Sequence, residues 1–250
     1  MEICYVTSTI PQMLAQLFTG HVALSLIHCA LQMYVALSLG SAEALMLGVM
    51  AYDRYLAICR PLVYATAMGT WRQLQLASAC WVSGFVVSAV YVSITFQHSF
   101  CGSGFINHFI CELPMVLKLT CADTHITEAV IFVLGGLVLL GPLSLILTSY
   151  GLILFSVLQM RSAAGLRKAF STCGSHLAIV TLFYGTLIFM YIRPRSGRSP
   201  NHEKQVAVFY VVVTPLLNPV IYSLRNKEIH KAMAKVLRKW GSEKKIEYLS

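Results

Sequence analysis

Long apolar runs, separated by short polar stretches rich in Lys and Arg, set the pattern of this chain. Five runs, at about 22–48, 76–96, 128–158, 174–193 and 205–224, are long enough to cross a hydrocarbon core of ~30 Å as single helices. A sixth run, Ile3 to Phe18, is shorter and is interrupted by Pro11, so it reads as the end of another spanning helix. The pattern predicts an all-α, polytopic transmembrane helix bundle. Residues 1–224 form one bundle domain with a long loop at 97–127, and residues 225–250 form a tail.

Composition supports this reading. The chain is 57% hydrophobic and only 12% charged, against about 25% charged residues in soluble domains. Mean hydropathy is +0.69. The start, Met1-Glu2, has no basic n-region, so no signal peptide is expected.

The formal net charge is +9, and its placement decides what it means. Fourteen of the nineteen basic residues fall in three alternate segments: Arg54 to Arg72, Arg161 to Lys168, and the tail from Arg225. By the positive-inside rule these segments are cytoplasmic. Arg193, Arg195, Arg198 and Lys204 are a local exception on the other side. Charge clustered at membrane ends fits a lipid bilayer as partner and argues against nucleic acid.

The cysteines sort by side. Cys29, Cys101, Cys111 and Cys121 fall on the outer side, where disulfides persist, and four cysteines permit three connectivities. Cys59, Cys80 and Cys173 lie inside or in the membrane and read as reduced packing residues. A loop as long as 97–127 is uncommon unless functional. It carries His98, His108 and His125, whose expected role is structural or solvated; a His108–Cys111 metal pair would lose Cys111 to a disulfide.

Two further stretches carry chemistry. Met50 to Cys59 places Asp53 beside Arg54 where an apolar helix runs out, and ionisable residues at such places usually have a task. An Arg held by its neighbouring Asp in one state and released in another would serve as a switch. From Asn226 to Trp240, Ile229, Ala232, Met233, Val236, Leu237 and Trp240 share one helical face, while Lys227, Lys231, Lys235, Arg238 and Lys239 fill the other. That spacing predicts an interfacial amphipathic helix on the anionic inner leaflet, with Asn226 as N-cap. No phosphate loop, zinc-spaced Cys pair or converging carboxylate pair occurs, and His176 and Ser175 have no acid beside them in sequence. No enzyme, cofactor or metal is expected.

Several motifs together resemble the vertebrate odorant receptors of the rhodopsin-like G-protein-coupled class. They are Met50-Ala51-Tyr52-Asp53-Arg54-Tyr55, Ser149-Tyr150, Lys168-Ala169-Phe170-Ser171-Thr172-Cys173, Phe183-Tyr184-Gly185 and Pro215-Leu216-Leu217-Asn218-Pro219-Val220-Ile221-Tyr222. They stand in family order, and the likeness spans the chain. Against the family's seven helices, the chain is expected to lack the first and most of the second, leaving about five full spans, the end of another and the amphipathic helix.

The resemblance implies a receptor for small volatile organic ligands. It would activate an olfactory-type stimulatory heterotrimeric G protein and raise cyclic AMP, as a multi-pass protein of the plasma membrane of olfactory cilia. Retention in the endoplasmic reticulum is a consequence expected of truncation. The implied disulfides are Cys29–Cys111 and Cys101–Cys121. The implied switch comprises Asp53, Arg54, Tyr55, Tyr150, Asn218, Pro219 and Tyr222, with both tyrosines reaching Arg54 once it leaves Asp53. Glu43, three turns above Arg54, is the implied polar or ion-site residue, and its partners on the missing helix are expected to be absent. The implied ligand wall is Met33, Ala36, Leu37, Gly40, Ser41, Leu134, Val138, Tyr184, Leu187, Ile188, Tyr191 and Val208. The alternatives are a truncated product that does not signal and, more remotely, a transporter or channel, for which no internal repeat is found.

Overall fold

The computed structural model describes residues 1–20, 24–101, 106, 110–159, 163–192, 208–223, 229 and 231–236. Side chains of 163–172, 189–192, 209–210 and 222 are outside that description. The helices are α1 (Glu2–Thr19), α2 (Leu26–Cys59), α3 (Pro61–Ala67), α4 (Thr70–Phe96), α5 (Leu113–Leu117), α6 (His125–Gln159), α7 (Ala163–Ile192) and α8 (Thr214–Ser223). A π-helical turn, Phe209–Val213, leads into α8.

Local chemistry sets the boundaries. Ser25 caps α2 by accepting from the His28 N–H at 3.2 Å. Arg60 leaves helical geometry (φ −134°, ψ 53°) because Pro61 follows it, and Pro61 then starts α3. Gly20, at φ 79°, ends α1 in a conformation that glycine adopts without penalty.

One expectation needs correcting. Pro11 does not break the first run: α1 is continuous from Glu2 to Thr19. Inside a bilayer a helix keeps its own hydrogen bonds wherever it can, and neighbouring groups satisfy carbonyls that a proline frees. α2 runs to Cys59, so Asp53 and Arg54 sit within its last two turns, and Pro61 stops it.

Three helices, α2, α4 and α6, are long and apolar enough to cross a membrane. Shorter apolar stretches, Cys173–Ile188 of α7 and Val211–Ile221, follow within the described residues. α2 is the central member and packs along both α4 and α6. Small residues make this possible: Ala42, Ala44 and Ala51 are fully buried. A Cβ placed on Gly84 of α4 would lie 2.7 Å from the Ser38 carbonyl of α2. On Gly48 of α2 it would lie 3.0 Å from Pro142 of α6. Close backbone approach through small residues is how helices associate where lipid is as apolar as leucine. Large apolar side chains of α4 and α6 point outward, among them Val82, Val86, Phe132, Leu137 and Leu147. This is the inverse of a soluble helix surface.

Candidate functional site

The outer end is built on two disulfides. Cys29, in the first turn of α2, is joined to Cys111, with Cα atoms 5.5 Å apart. Cys101 is joined to Cys121, with Cα atoms 5.7 Å apart. Backbone bonds from the Cys101 N–H to the Leu119 carbonyl and from the Cys121 N–H to the Ser99 carbonyl run beside the second pair, at 3.1 Å each. The loop therefore closes on itself and is tethered to α2. α5 lies within it, and its Leu113 and Leu117 are buried against Met33 of α2 and Tyr91 of α4, with Leu37 and Leu134 alongside. His98 is bound to the Thr127 hydroxyl at 2.8 Å, joining the end of α4 to the start of α6. His108 lies outside the described residues, as does the whole basic stretch Arg193–Lys204.

Of the ligand-wall candidates, Met33, Leu37 and Leu134 are gathered in one cluster beneath α5. Ser41 is buried on the same helix, and a side chain added at Gly40 would meet no atom within 4 Å. Ala36, Val138, Leu187 and Val208 are half-buried. Tyr184 belongs to a different cluster, with Leu47, Ala51, Ile146, Ile179 and Val180, and its hydroxyl donates to the Leu139 carbonyl at 3.3 Å. Ile188 is 48% exposed. The Tyr191 side chain lies outside the described residues.

In the middle of the bundle a polar group joins three helices. Asn218 of α8 is buried, and its Nδ2 donates to Glu43 Oε1 of α2 at 2.9 Å and to Glu2 Oε1 of α1 at 2.8 Å. Its Oδ1 is buried with no hydrogen-bond partner among the described residues. Glu43 was expected to have lost its partners on the missing helix; its partner here is Asn218, a donor it shares with Glu2. Sequence reasoning had treated Glu2 only as a missing basic charge. Sequence offered little signal for it, since an acid in the first turn of a helix is commonplace. Asn218 thus sits with the two carboxyl groups.

At the inner end, Asp53 and Arg54 stand apart in this structure. Among the described residues no ion pair joins them; Asp53 Oδ1 accepts instead from the Tyr64 hydroxyl of α3 at 3.0 Å. Successive side chains on a helix project about 100° apart and do not face each other, whatever their charges. Arg54 Nε is buried without a partner among the described residues. The bond to Asp53 raises the Tyr64 hydroxyl above its ordinary value of 10.0.

Tyr150 of α6 is joined to His176 Nδ1 of α7 at 2.7 Å, with the two rings stacked at 5.8 Å. His176 is fully buried, and Tyr150 also packs in the inner cluster that contains Tyr55, Ile58, Ile153 and Cys173. Sequence reading passed over His176 because it looked for an acid as its partner. Pro219 and Tyr222 lie within α8, with the Tyr222 side chain outside the described residues. Lys168–Cys173 lies on α7. Of the tail helix, residue 229 and residues 231–236 are helical and exposed, including Ile229, Met233 and Val236; Asn226 and Leu237 to Trp240 lie outside the described residues.

An α2-centred bundle with a disulfide-tethered outer loop, a polar group at mid-depth and an Arg at the inner end defines a rhodopsin-like receptor. Squid rhodopsin shares the fold, with a TM-score of 0.70 over 94% of this chain and 67% of that one, at 17% identity. The olfactory receptor family model matches residues 1–240, and the chain belongs to that family. Olfactory receptor 11G2 of Homo sapiens is 50% identical over 97% of this chain and 69% of its own length. Olfactory receptor 2G6 of Homo sapiens is 47% identical over 93% of this chain and 74% of its own. Membership places the chain among membrane receptors for small ligands that couple to G proteins, and not among enzymes.

Proposed function

We propose that this receptor detects small volatile organic molecules and activates an olfactory-type stimulatory G protein, raising cyclic AMP. The observation that carries the ligand half is the apolar wall of Met33, Leu37 and Leu134 under α5, with open space at Gly40. A mainly apolar cavity with few polar handles suits such molecules. The switch half is supported by the inner end: Arg54 is unpaired at Nε, and the Tyr150–His176 pair connects α6 to α7 nearby. A ligand that favours the arrangement in which these helices separate would open a cleft for the C-terminal helix of a Gα subunit. Glu2, Glu43 and Asn218 form the polar joint between the two ends, and the tail helix rests on the inner leaflet through Met233 and Val236. The receptor acts at the plasma membrane of sensory cilia.

The test is a surface-tagged chain co-expressed with a cyclic AMP reporter and exposed to a panel of volatiles. A concentration-dependent rise for at least one volatile is expected. Receptor at the surface with no response across the panel overturns the ligand class. Response through an inhibitory rather than a stimulatory Gα overturns the partner. Retention in the endoplasmic reticulum overturns the site of action.

A further inference from the structure

One buried polar side chain has no part in the wall, the mid-depth group or the inner switch. Gln32 lies on α2 one turn below Cys29 and is 8% exposed. Its Oε1 accepts from the Cys111 N–H at 3.0 Å. Its Nε2 donates to Gln12 Oε1 at 2.7 Å and to the Ser8 carbonyl at 3.3 Å, both on α1. Both amide hydrogens and the carbonyl oxygen are in use. With both hydrogens spent on α1 and an oxygen bonded to the Cys111 N–H, the amide is engaged in holding its neighbours.

We infer that Gln32 is a positioning residue that latches the Cys111 segment, and with it α5, to α2 and α1, so that Leu113 and Leu117 seat on Met33. The disulfide holds Cys111 at one point, and rotation about it would still let α5 tilt. The Gln32 bond to the adjoining N–H adds a second point of attachment, and two points define an orientation. Leu113 follows Cys111 by two residues, so loss of the bond is felt first there. The inference rests on the ligand cavity lying beneath α5, but the latch itself is read without any odorant.

The experiment places Leu113→Cys in the full chain and measures its reaction with a bulky polar maleimide on isolated membranes, so that surface and retained receptor both report. Gln32→Met, similar in volume but unable to hydrogen-bond, is expected to speed labelling about five- to ten-fold, the scale on which one lost buried hydrogen bond shifts a local opening. Gln32→Glu keeps an acceptor for the Cys111 N–H and, as the neutral acid that burial favours, one donor toward α1, and is expected to label near the wild-type rate, as is Gln12→Leu, which leaves the Cys111 bond intact. The native buried thiols Cys80 and Cys173 are internal controls whose reactivity stays unchanged. Equal rates for Leu113→Cys with and without Gln32→Met, the Cys29–Cys111 bond being intact by gel mobility, overturn the latch. So does acceleration at Cys80 and Cys173 together with position 113, which reads as general loosening. If Gln32→Met yields no folded receptor, a Gln32→Glu rate five-fold or more above wild type overturns it. Odorant response in the same cells, assayed separately, tells failure of the receptor reading from failure of the latch.

Discussion

Tyr64 and Asp53 are bonded across the inner end of the bundle, with the α3 hydroxyl 3.0 Å from the α2 carboxylate, while Arg54 turns its Nε into a buried position without a partner among the described residues. The acid of the motif is thus engaged by a neutral group from another helix, and the base is left to other interactions.

Tyr64→Phe tests this division. With the hydroxyl gone, the tie between α3 and α2 at the inner end is lost. The maximal cyclic AMP response at matched surface level is expected to fall about two- to five-fold, the scale of one partly exposed charge-assisted hydrogen bond. A response equal to wild type removes Tyr64 from the switch. The raised Tyr64 value fixes the sign of the pH effect: the bond is present below the ordinary value of 10.0 and is lost only as pH rises through the raised one. Across physiological pH the wild-type response should therefore show no titration attributable to Tyr64.

Tyr150 and His176 should prove coupled. Tyr150→Phe leaves His176 Nδ1 buried without its hydroxyl partner, which costs about 1–3 kcal/mol. His176→Phe removes the ring nitrogens and leaves an aromatic of similar shape. Thermal unfolding of purified receptor should show each single change destabilising and the double change costing less than their sum by about 1 kcal/mol. Strict additivity would mean that the two side chains do not act as a pair.

Gly84→Ala adds a Cβ where the Ser38 carbonyl stands 2.7 Å away and Ala42 close by, both of them backbone of α2 that cannot swing aside. The α2–α4 contact must open, at a cost of about 1–3 kcal/mol. Gly136→Ala is the matched control, since its Cβ would meet nothing within 4 Å. The expected result is a lower melting temperature and reduced surface level for Gly84→Ala only.

How much of this was legible depended on whether the signal lay in a pattern or in a pairing. Apolar runs were enough for the helix bundle, because each is a property of a segment. Helix limits were less readable: Pro11 reads as a breaker by soluble rules, yet α1 passes through it. Gln32, Glu2 and His176 went unread because their partners, Cys111, Asn218 and Tyr150, come from distant parts of the chain. An amide or imidazole in an apolar run announces that it needs a partner but does not name one.

Glu43 carries the prediction that separates a polar joint from a simple hydrogen bond. Asn218 gives one amide nitrogen to two carboxyl groups, while its own Oδ1 is buried with no donor among the described residues. Glu43→Gln keeps an oxygen that accepts from Asn218 Nδ2 and adds an NH2 able to turn toward Oδ1. It also removes one of the two carboxyl groups that share a donor. Purified Glu43→Gln receptor should be more stable than wild type by about 1 kcal/mol, the net worth of one added buried hydrogen bond. Glu43→Leu removes the acceptor and leaves Asn218 less satisfied, so it should be destabilised by a similar amount. If Glu43→Gln melts below wild type, the Glu43 carboxyl does something at mid-depth that an amide cannot, and the group is more than a tie between α1, α2 and α8.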